Sequence, residues 1–162
     1  MAETLSVTDL LPNKFEPKRS YRWILAIEGI DSFLIKTAAR PNITIANETI
    51  KYINSYRKIS GRLTFGSMSV TLHDPIAPSG AQQVMEWVRT HFESVSGRAG
   101  YADFYKRDCQ LKLLDPVGTV VELWDIKGAF LMSANFGDVS YDDDMPMEIT
   151  MDIRFDNCVL QY

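Results

Sequence analysis

The stretch that decides the fold runs from residue 57 to residue 74 and reads RKISGRLTFGSMSVTLHD. Apolar and polar residues alternate along it, which is typical of β-strands because successive side chains point to opposite faces of a sheet. The parity of the apolar positions changes at Gly66, where a glycine indicates a bulge or a sharp bend. We therefore predict a long, bent strand pair with one apolar face and one face of small polar residues. Such a plain polar face favours a structural role over a catalytic one.

Composition favours one globular domain. The chain has 162 residues, of which 46% are hydrophobic and 23% are charged, and its formal net charge is −4. This negative net charge argues against a protein that binds nucleic acid tightly, since nucleic-acid-binding domains are usually basic. Cys109 and Cys158 are far apart and lie in strand-like runs, so buried free thiols are expected. The sequence lacks a basic leader and any run near the ~18 apolar residues of a membrane span, which favours synthesis in a cytosol and no membrane span.

The first third of the chain predicts an arm, a hairpin and an exposed extended segment. Residues 1–20 form the N-terminal arm, and residues 21–162 form the single domain. Residues 21–28 and 33–39 are interpreted as the two strands of a hairpin, with a turn at 29–32. The next segment, 42–56, spreads its apolar residues thinly, and an exposed strand edge invites pairing with another chain. Its apolar residues are Ile43, Ile45, Ile50, Tyr52, Ile53 and Tyr56.

The rest of the chain predicts one helix among further strands. Ser79 is a candidate N-cap for a helix over residues 80–92, whose apolar residues follow a helical spacing. The turn at 115–118 joins two strands. From 147 to 156 the alternation is the cleanest in the chain, with Met147, Ile149, Met151, Ile153 and Phe155 on one face. About seven or eight strands and one helix indicate a mainly β protein, an antiparallel barrel or sandwich with one packed α-helix.

Candidate chemistry is weak throughout. His73 beside Asp74 is interpreted as a surface pair rather than an acid–base site, and His91 as a cation near a helix end. The aspartates at 142–144 lack the spacing of a calcium loop and indicate a solvated turn. The aromatic and basic run at 101–107 is expected to pack against the barrel or a neighbour rather than stack on bases. The sequence therefore predicts no enzyme, no metal site and no cofactor.

The order and spacing of these segments resemble the tail tube proteins of contractile-tailed bacteriophages. The resemblance covers about residues 21–155. It rests on YRWILAIEG at 21–29, Ala39-Arg40-Pro41, the polar segment leading to residues 57–74, and the helix containing Trp87. It continues through YKRD at 105–108, the turn at 115–118, Trp124 and the alternating strand at 147–156. The tube proteins of type VI secretion and other contractile injection systems are similar in fold.

The resemblance implies six-subunit rings stacked into a hollow tube, a continuous inner barrel, and an N-terminal arm that helps to join rings. Segment 42–56 would reach over the adjacent subunit, so its six apolar residues are the interface candidates. The implied partners are further copies of the chain, tail sheath and baseplate proteins, and genomic DNA that passes without specific binding. The implied location is the virion, after assembly in the bacterial host cytoplasm. The candidates for facing the lumen are Ser67, Ser69, Thr71, Glu148, Thr150, Asp152 and Arg154.

Two alternatives remain open at the level of the sequence. The first is the inner tube protein of a type VI secretion system or another contractile injection system. The second is a small β-barrel enzyme or ligand carrier. The lack of a histidine cluster counts against a metalloenzyme, and strands that alternate cleanly fit a filled core better than a ligand cavity.

Overall fold

The computed structural model describes residues 14–162, and this part of the chain contains eleven strands and two α-helices. The N-terminal arm expected at residues 1–20 therefore lies mostly outside the described residues. The strands are β1 (Trp23–Ile27), β2 (Ile35–Ala38), β3 (Ile43–Tyr52), β4 (Ser55–Phe65), β5 (Met68–His73), β6 (Phe92–Glu93), β7 (Arg98–Ala99), β8 (Arg107–Leu114), β9 (Val120–Asn135), β10 (Glu148–Arg154) and β11 (Asn157–Leu160). The helices are α1 (Gly80–His91) and α2 (Ala102–Tyr105), and a short 3-10 turn spans Ser32–Leu34.

Seven strands form one antiparallel sheet that bends into two layers. The strand order is β1-β8-β9-β10-β5-β2, with β11 also paired to β9. The long strand β9 belongs to both layers, because it pairs with β8 and β11 up to Ala129 and with β10 from Phe130 onward. Gly128, just before this change of partner, has a φ of 66°, a left-handed conformation that glycine adopts without strain. The predicted class, mainly antiparallel β with a packed helix, is confirmed.

The core lies between the two layers and under α1. β10 supplies Ile149, Met151 and Ile153, each fully buried, and this confirms the apolar face predicted for residues 147–156, although Met147 itself is 44% exposed. Ser79 caps α1 as expected, since its hydroxyl oxygen accepts a hydrogen bond from the backbone N–H of Gln82 at 3.4 Å. The other buried residues of this core include Leu25, Ile27, Met68, Val70, Leu72, Val84, Trp87, Leu111 and Ile126.

Three expectations need correction. The hairpin expected from residues 21–28 and 33–39 is wrong, because β1 pairs with β8 and β2 pairs with β5, at opposite edges of the sheet. The short helix α2 lies in the run at 101–107, where no helix was expected. Segment 42–56 is not one extended piece, because the chain turns at Ile53 and returns as β4. The predicted break near Gly66 is confirmed, but β4 before it pairs with β3 outside the main sheet, and only β5 buries its apolar face.

Candidate assembly surfaces

The hairpin formed by β3 and β4 carries an exposed apolar surface. We call this hairpin the arm, and it is distinct from the N-terminal arm expected at residues 1–20. All ten residues of β3 are exposed, as are the first ten of β4. At about 3.3 Å per residue, strands of this length extend roughly 30 Å. An isolated two-stranded hairpin is at best marginally stable in water, so the arm needs a covering surface. Its exposed large apolar residues are the six predicted interface candidates, Ile43, Ile45, Ile50, Tyr52, Ile53 and Tyr56, together with Ile59 and Leu63.

A bulge shifts the register of β4 against β3 partway along the arm. Ile45 pairs with Leu63, but the next pair is Asn47 with Ser60, so β4 has one extra residue opposite Ala46. Gly61 sits at this point, and a Cβ there would lie 3.1 Å from the carbonyl oxygen of Ala46. At the base of the arm, the pairs of Ile43 with Phe65 and of Ile45 with Leu63 lie on one face. Ile50 and Tyr52 lie on the other face, because their parity along β3 is opposite to that of Ile43 and Ile45, and the bulge brings Ile59 of β4 to the same face as Ile50.

The tip of the arm is backbone-strained. Ile53 has a φ of 50° and is 87% exposed. A β-branched residue rarely adopts this left-handed region, and asparagine or glycine fits it better. Strained backbone residues are concentrated at functional sites, and here the strained residue is an exposed isoleucine at the outermost point of the arm.

A second surface is the outer face of the layer formed by β2, β5, β10 and the end of β9. The register places Thr71 between Thr37 and Thr150, and Thr150 beside Asn135. Six of the seven lumen candidates, namely Ser69, Thr71, Glu148, Thr150, Asp152 and Arg154, lie on these two central strands, whereas Ser67 lies in the loop before β5. This part of the sequence analysis therefore brought together residues that share one face.

Charge on this face is largely compensated. Lys36 on β2 forms a salt bridge with Glu148, and Ser133 donates a hydrogen bond to Asp152 at 3.1 Å. Arg154 adds a cation at the end of β10. The side chains on this face are small and polar, and their charges nearly cancel. The face therefore offers neither an apolar surface for binding protein nor a row of cations for binding phosphates.

Glu122 ties the segments around the base of the arm to the core. Among residues 14–162 it is the only polar or charged residue that is buried. Its carboxylate accepts hydrogen bonds from Lys18, from Arg40 just before the arm, and from the indole N–H of Trp124. Burial alone would raise the pKa of Glu122, but the hydrogen bonds from Lys18 and Trp124 and the charge of Arg40 outweigh it and lower the pKa below its ordinary value. No local sequence pattern indicates this cluster, because its partners come from distant segments.

The His73–Asp74 pair is not arranged for acid–base work. One carboxylate oxygen of Asp74 accepts a hydrogen bond from the backbone N–H of Ala81 at 3.1 Å, at the start of α1. The carboxylate thus serves the helix N-terminus, where negative charge is favoured. His73 is exposed at the end of β5, opposite Glu148.

His91 belongs to an aromatic cluster, and the expectation of a helix-end cation is wrong. Its ring stacks on Tyr105 with centroids 4.4 Å apart and lies 6.4 Å from Phe130. Burial and the charge of Arg107 lower the pKa of His91, so the neutral form is favoured at pH 7. Arg107 itself lies over the ring of Trp87 at 4.9 Å. The run at 101–107 therefore packs internally only in part, since Tyr105 and Arg107 join this cluster whereas Tyr101 and Phe104 are exposed.

The two cysteines are buried free thiols, as predicted. Both pair with Ile126 on β9, from opposite sides, so their Cα atoms are about 10 Å apart, too far for a disulfide. Burial raises the pKa of Cys109 to about 12, which makes it a poor nucleophile. Within residues 14–162 no group of three or more His, Cys, Asp or Glu side chains is placed to hold a metal ion. No helix in this range is long and apolar enough to cross a membrane.

Comparison with solved structures identifies the fold. No protein-family model and no curated protein matches the sequence. The chain is similar to one in the tube-terminating cap of the anti-feeding prophage, with a TM-score of 0.75 and 15% identity over 97% of this chain and 99% of that one. A chain of the PVC extracellular contractile injection system, in its extended sheath–tube complex, gives a TM-score of 0.67 and 15% identity over 98% and 99%. Hcp1 from Flavobacterium johnsoniae gives 0.53 and 15% identity over 87% and 95%.

Identities of this size establish the fold and nothing finer. The tube-protein fold expected from the resemblance is confirmed along nearly the whole chain, since the cap and sheath–tube matches cover more than nine-tenths of both partners.

Proposed function

We propose that this chain is a structural subunit of the tube of a contractile injection particle and is not an enzyme. The observation that carries the proposal is the arm, a hairpin on which eight large apolar side chains stay uncovered by the rest of residues 14–162. The tube-protein fold supports the same conclusion. The subunits form six-membered rings, and the rings stack into a hollow tube that sheath and baseplate proteins surround and anchor.

Sheet edges supply the lateral contacts of the ring. Among the described strands, β2 pairs only with β5, and β1 pairs only with β8, so each has an outer edge without a strand partner. Exposed edges are templates for pairing with another chain, and closure of a barrel removes them. Neighbouring subunits that pair edge to edge therefore make a continuous inner barrel, without any change in the fold of each copy.

The polar outer face of β5 and β10 lines the lumen. Small Ser and Thr side chains and compensated charges make a wall that binds little, and a wall with few cations forms few phosphate contacts. In a phage tail this tube conducts DNA from the virion into the host. The alternative is the inner tube of a type VI secretion system or another contractile injection system, in which the same face lines the lumen.

The first test deletes the outer part of the arm. Removing residues 47–54 takes away Ile50, Tyr52 and Ile53 but leaves the core intact, so we expect a folded subunit that no longer forms tubes. Circular dichroism checks folding, and negative-stain microscopy with size-exclusion chromatography checks assembly. Val117→Ser, at an 89% exposed position in the turn between β8 and β9, is the matched control and should assemble normally. Tubes of normal appearance from the deletion variant would refute the reaching role of the arm.

A further inference from the structure

The arm is a basic segment of an acidic protein. Residues 43–65 contain Lys51, Arg57, Lys58 and Arg62 against the single acid Glu48, which gives +3. Because the whole chain carries −4, the remainder carries −7. No arm residue takes part in a salt bridge among residues 14–162. The arm therefore combines unpaired positive charge with exposed apolar side chains, and it matches a surface that combines negative charge with exposed apolar side chains.

Such a surface exists at the loop of residues 136–147, which joins β9 to β10 and which we call the acidic loop. It has four aspartates and no basic residue, and none of these carboxylates forms a salt bridge within residues 14–162. Val139 is 82% exposed, Tyr141 is fully exposed and Met145 is 75% exposed. Val139 and Tyr141 also line a surface pocket. The acidic loop is thus negatively charged and partly apolar, and it complements the positively charged, partly apolar tip of the arm.

The base of the arm and the end of the acidic loop lie at opposite ends of one strand. The arm joins the main sheet next to Met68, where β5 begins. The acidic loop ends beside His73, where β5 ends, since Glu148 pairs with His73 and the carbonyl of Met147 accepts a hydrogen bond from the N–H of Asp74 at 3.1 Å. Complementary patches at two different places on a subunit make a heterologous, head-to-tail contact, which joins copies in series rather than in a closed dimer.

We propose that the tip of the arm, residues 50–57, docks on the acidic loop of a second copy of this chain in the next ring. The proposal rests on the proposed function, because it assigns the contact by which rings stack. Opposite charges steer the two surfaces together and fix their register, and the apolar side chains at the tip exclude water from the contact. Ile50 and Arg57 are directly opposite each other in the hairpin, so one face of the tip offers both an apolar and a charged contact.

Charge reversal on each surface tests the contact. The arm variant is Lys51→Glu with Arg57→Glu, and the loop variant is Asp142→Lys with Asp143→Lys. All four positions are exposed, so both variants should fold with a melting temperature near that of the wild type. The matched control is Arg98→Glu, which reverses an exposed charge outside both surfaces. Assembly is followed by sedimentation velocity and negative-stain microscopy near physiological salt.

The expected result is that each variant alone forms rings of wild-type diameter that do not stack. An equimolar mixture of the two restores tubes, because the reversed arm of one variant matches the reversed loop of the other, and the two unaltered surfaces also match. The Arg98→Glu control stacks like the wild type.

The other outcomes overturn the proposal in distinguishable ways. Long tubes from either variant alone refute the arm-to-loop contact, and so does a mixture that forms no tubes. If the wild type still forms tubes in these experiments, the proposed function is unaffected. Loss of rings as well as stacks shows that these residues act within a ring, which also refutes it. A wild-type protein that forms neither rings nor tubes refutes the proposed function, and the stacking contact falls with it.

Discussion

Replacing Glu122 with glutamine tests how the base of the arm is held. The carboxylate is 3% exposed and accepts hydrogen bonds from Lys18, Arg40 and Trp124. A hydrogen bond to a charged group contributes about 1.5–3 kcal/mol. The side chains of Lys18 and Arg40 are 53% and 59% exposed, so both cations regain water when the charge is lost, and the cost is below that of two full bonds. We expect the free energy of unfolding to fall by about 2–4 kcal/mol, which lowers the melting temperature by roughly 5–15 °C.

The difference in stability between the wild type and Glu122→Gln should depend on pH. Because the folded protein lowers the pKa of Glu122 below the ordinary 4.5, the folded state favours the ionised carboxylate. This stabilisation is present above the unfolded pKa and is lost as the pH falls through the folded pKa. The difference between wild type and Glu122→Gln should therefore be full at pH 7 and shrink below about pH 4.5.

Urea unfolding at pH 7 and at pH 3.5 measures both quantities. Limited proteolysis of residues 14–22 adds a local readout, since loss of the Lys18 contact should speed cleavage there. Asp138→Asn removes a charge at an exposed position and serves as the control, with an expected change within about 0.5 kcal/mol. Equal stability of wild type and Glu122→Gln at pH 7, or a difference that persists unchanged at pH 3.5, would refute the reasoning.

Two further predictions concern the core and the aromatic cluster. Met151→Asp should abolish soluble folding, because Met151 is fully buried and an unpaired buried carboxylate costs several kcal/mol. Asp152→Asn, on the opposite face of β10, should keep the melting temperature within about 2 °C, and the reverse pattern in soluble yield would show that the two faces are misassigned. His91→Phe should keep the stack on Tyr105, remove the buried ring nitrogen that has no hydrogen-bond partner within residues 14–162, and raise stability by about 1–3 kcal/mol. Since the folded protein lowers the pKa of His91, wild-type stability should fall as the pH drops below about 6.5 and the variant should lose this dependence; a lower melting temperature for the variant at pH 7 would contradict the prediction.

Local patterns determined the elements correctly wherever one segment carries its own signal. Alternation in β10 identified its buried and exposed faces, because the period of a strand is set by its own backbone. The Asp115 turn and the Ser79 cap were predicted from a few adjacent residues whose side chains bond to nearby backbone groups. The resemblance added the fold, because order and spacing of elements survive when identity falls to 15%.

Tertiary structure decided which elements meet. The sequence placed residues 21–39 in a hairpin because neighbouring strands usually pair, whereas β1 and β2 pair with strands far along the chain and occupy opposite edges. The apolar face of β4 was expected to resemble that of β5, but β4 pairs only with β3 among the described strands and stays exposed. Alternation reveals that a strand has an apolar face and does not reveal whether this chain or another one covers it.

For the candidate surfaces, too, some features follow from the sequence and others only from the folded chain. The sequence named the exposed residues of β3 and six polar residues of one sheet face, since exposure and face follow from local pattern. It did not identify Glu122 as the anchor, because Lys18 and Arg40 lie 104 and 82 residues away and only the folded sheet brings them to one carboxylate. Nor did it reveal that Ile59 of β4 shares a face with Ile50 of β3, since the one-residue offset at Gly61 exists only once β3 and β4 are paired in register.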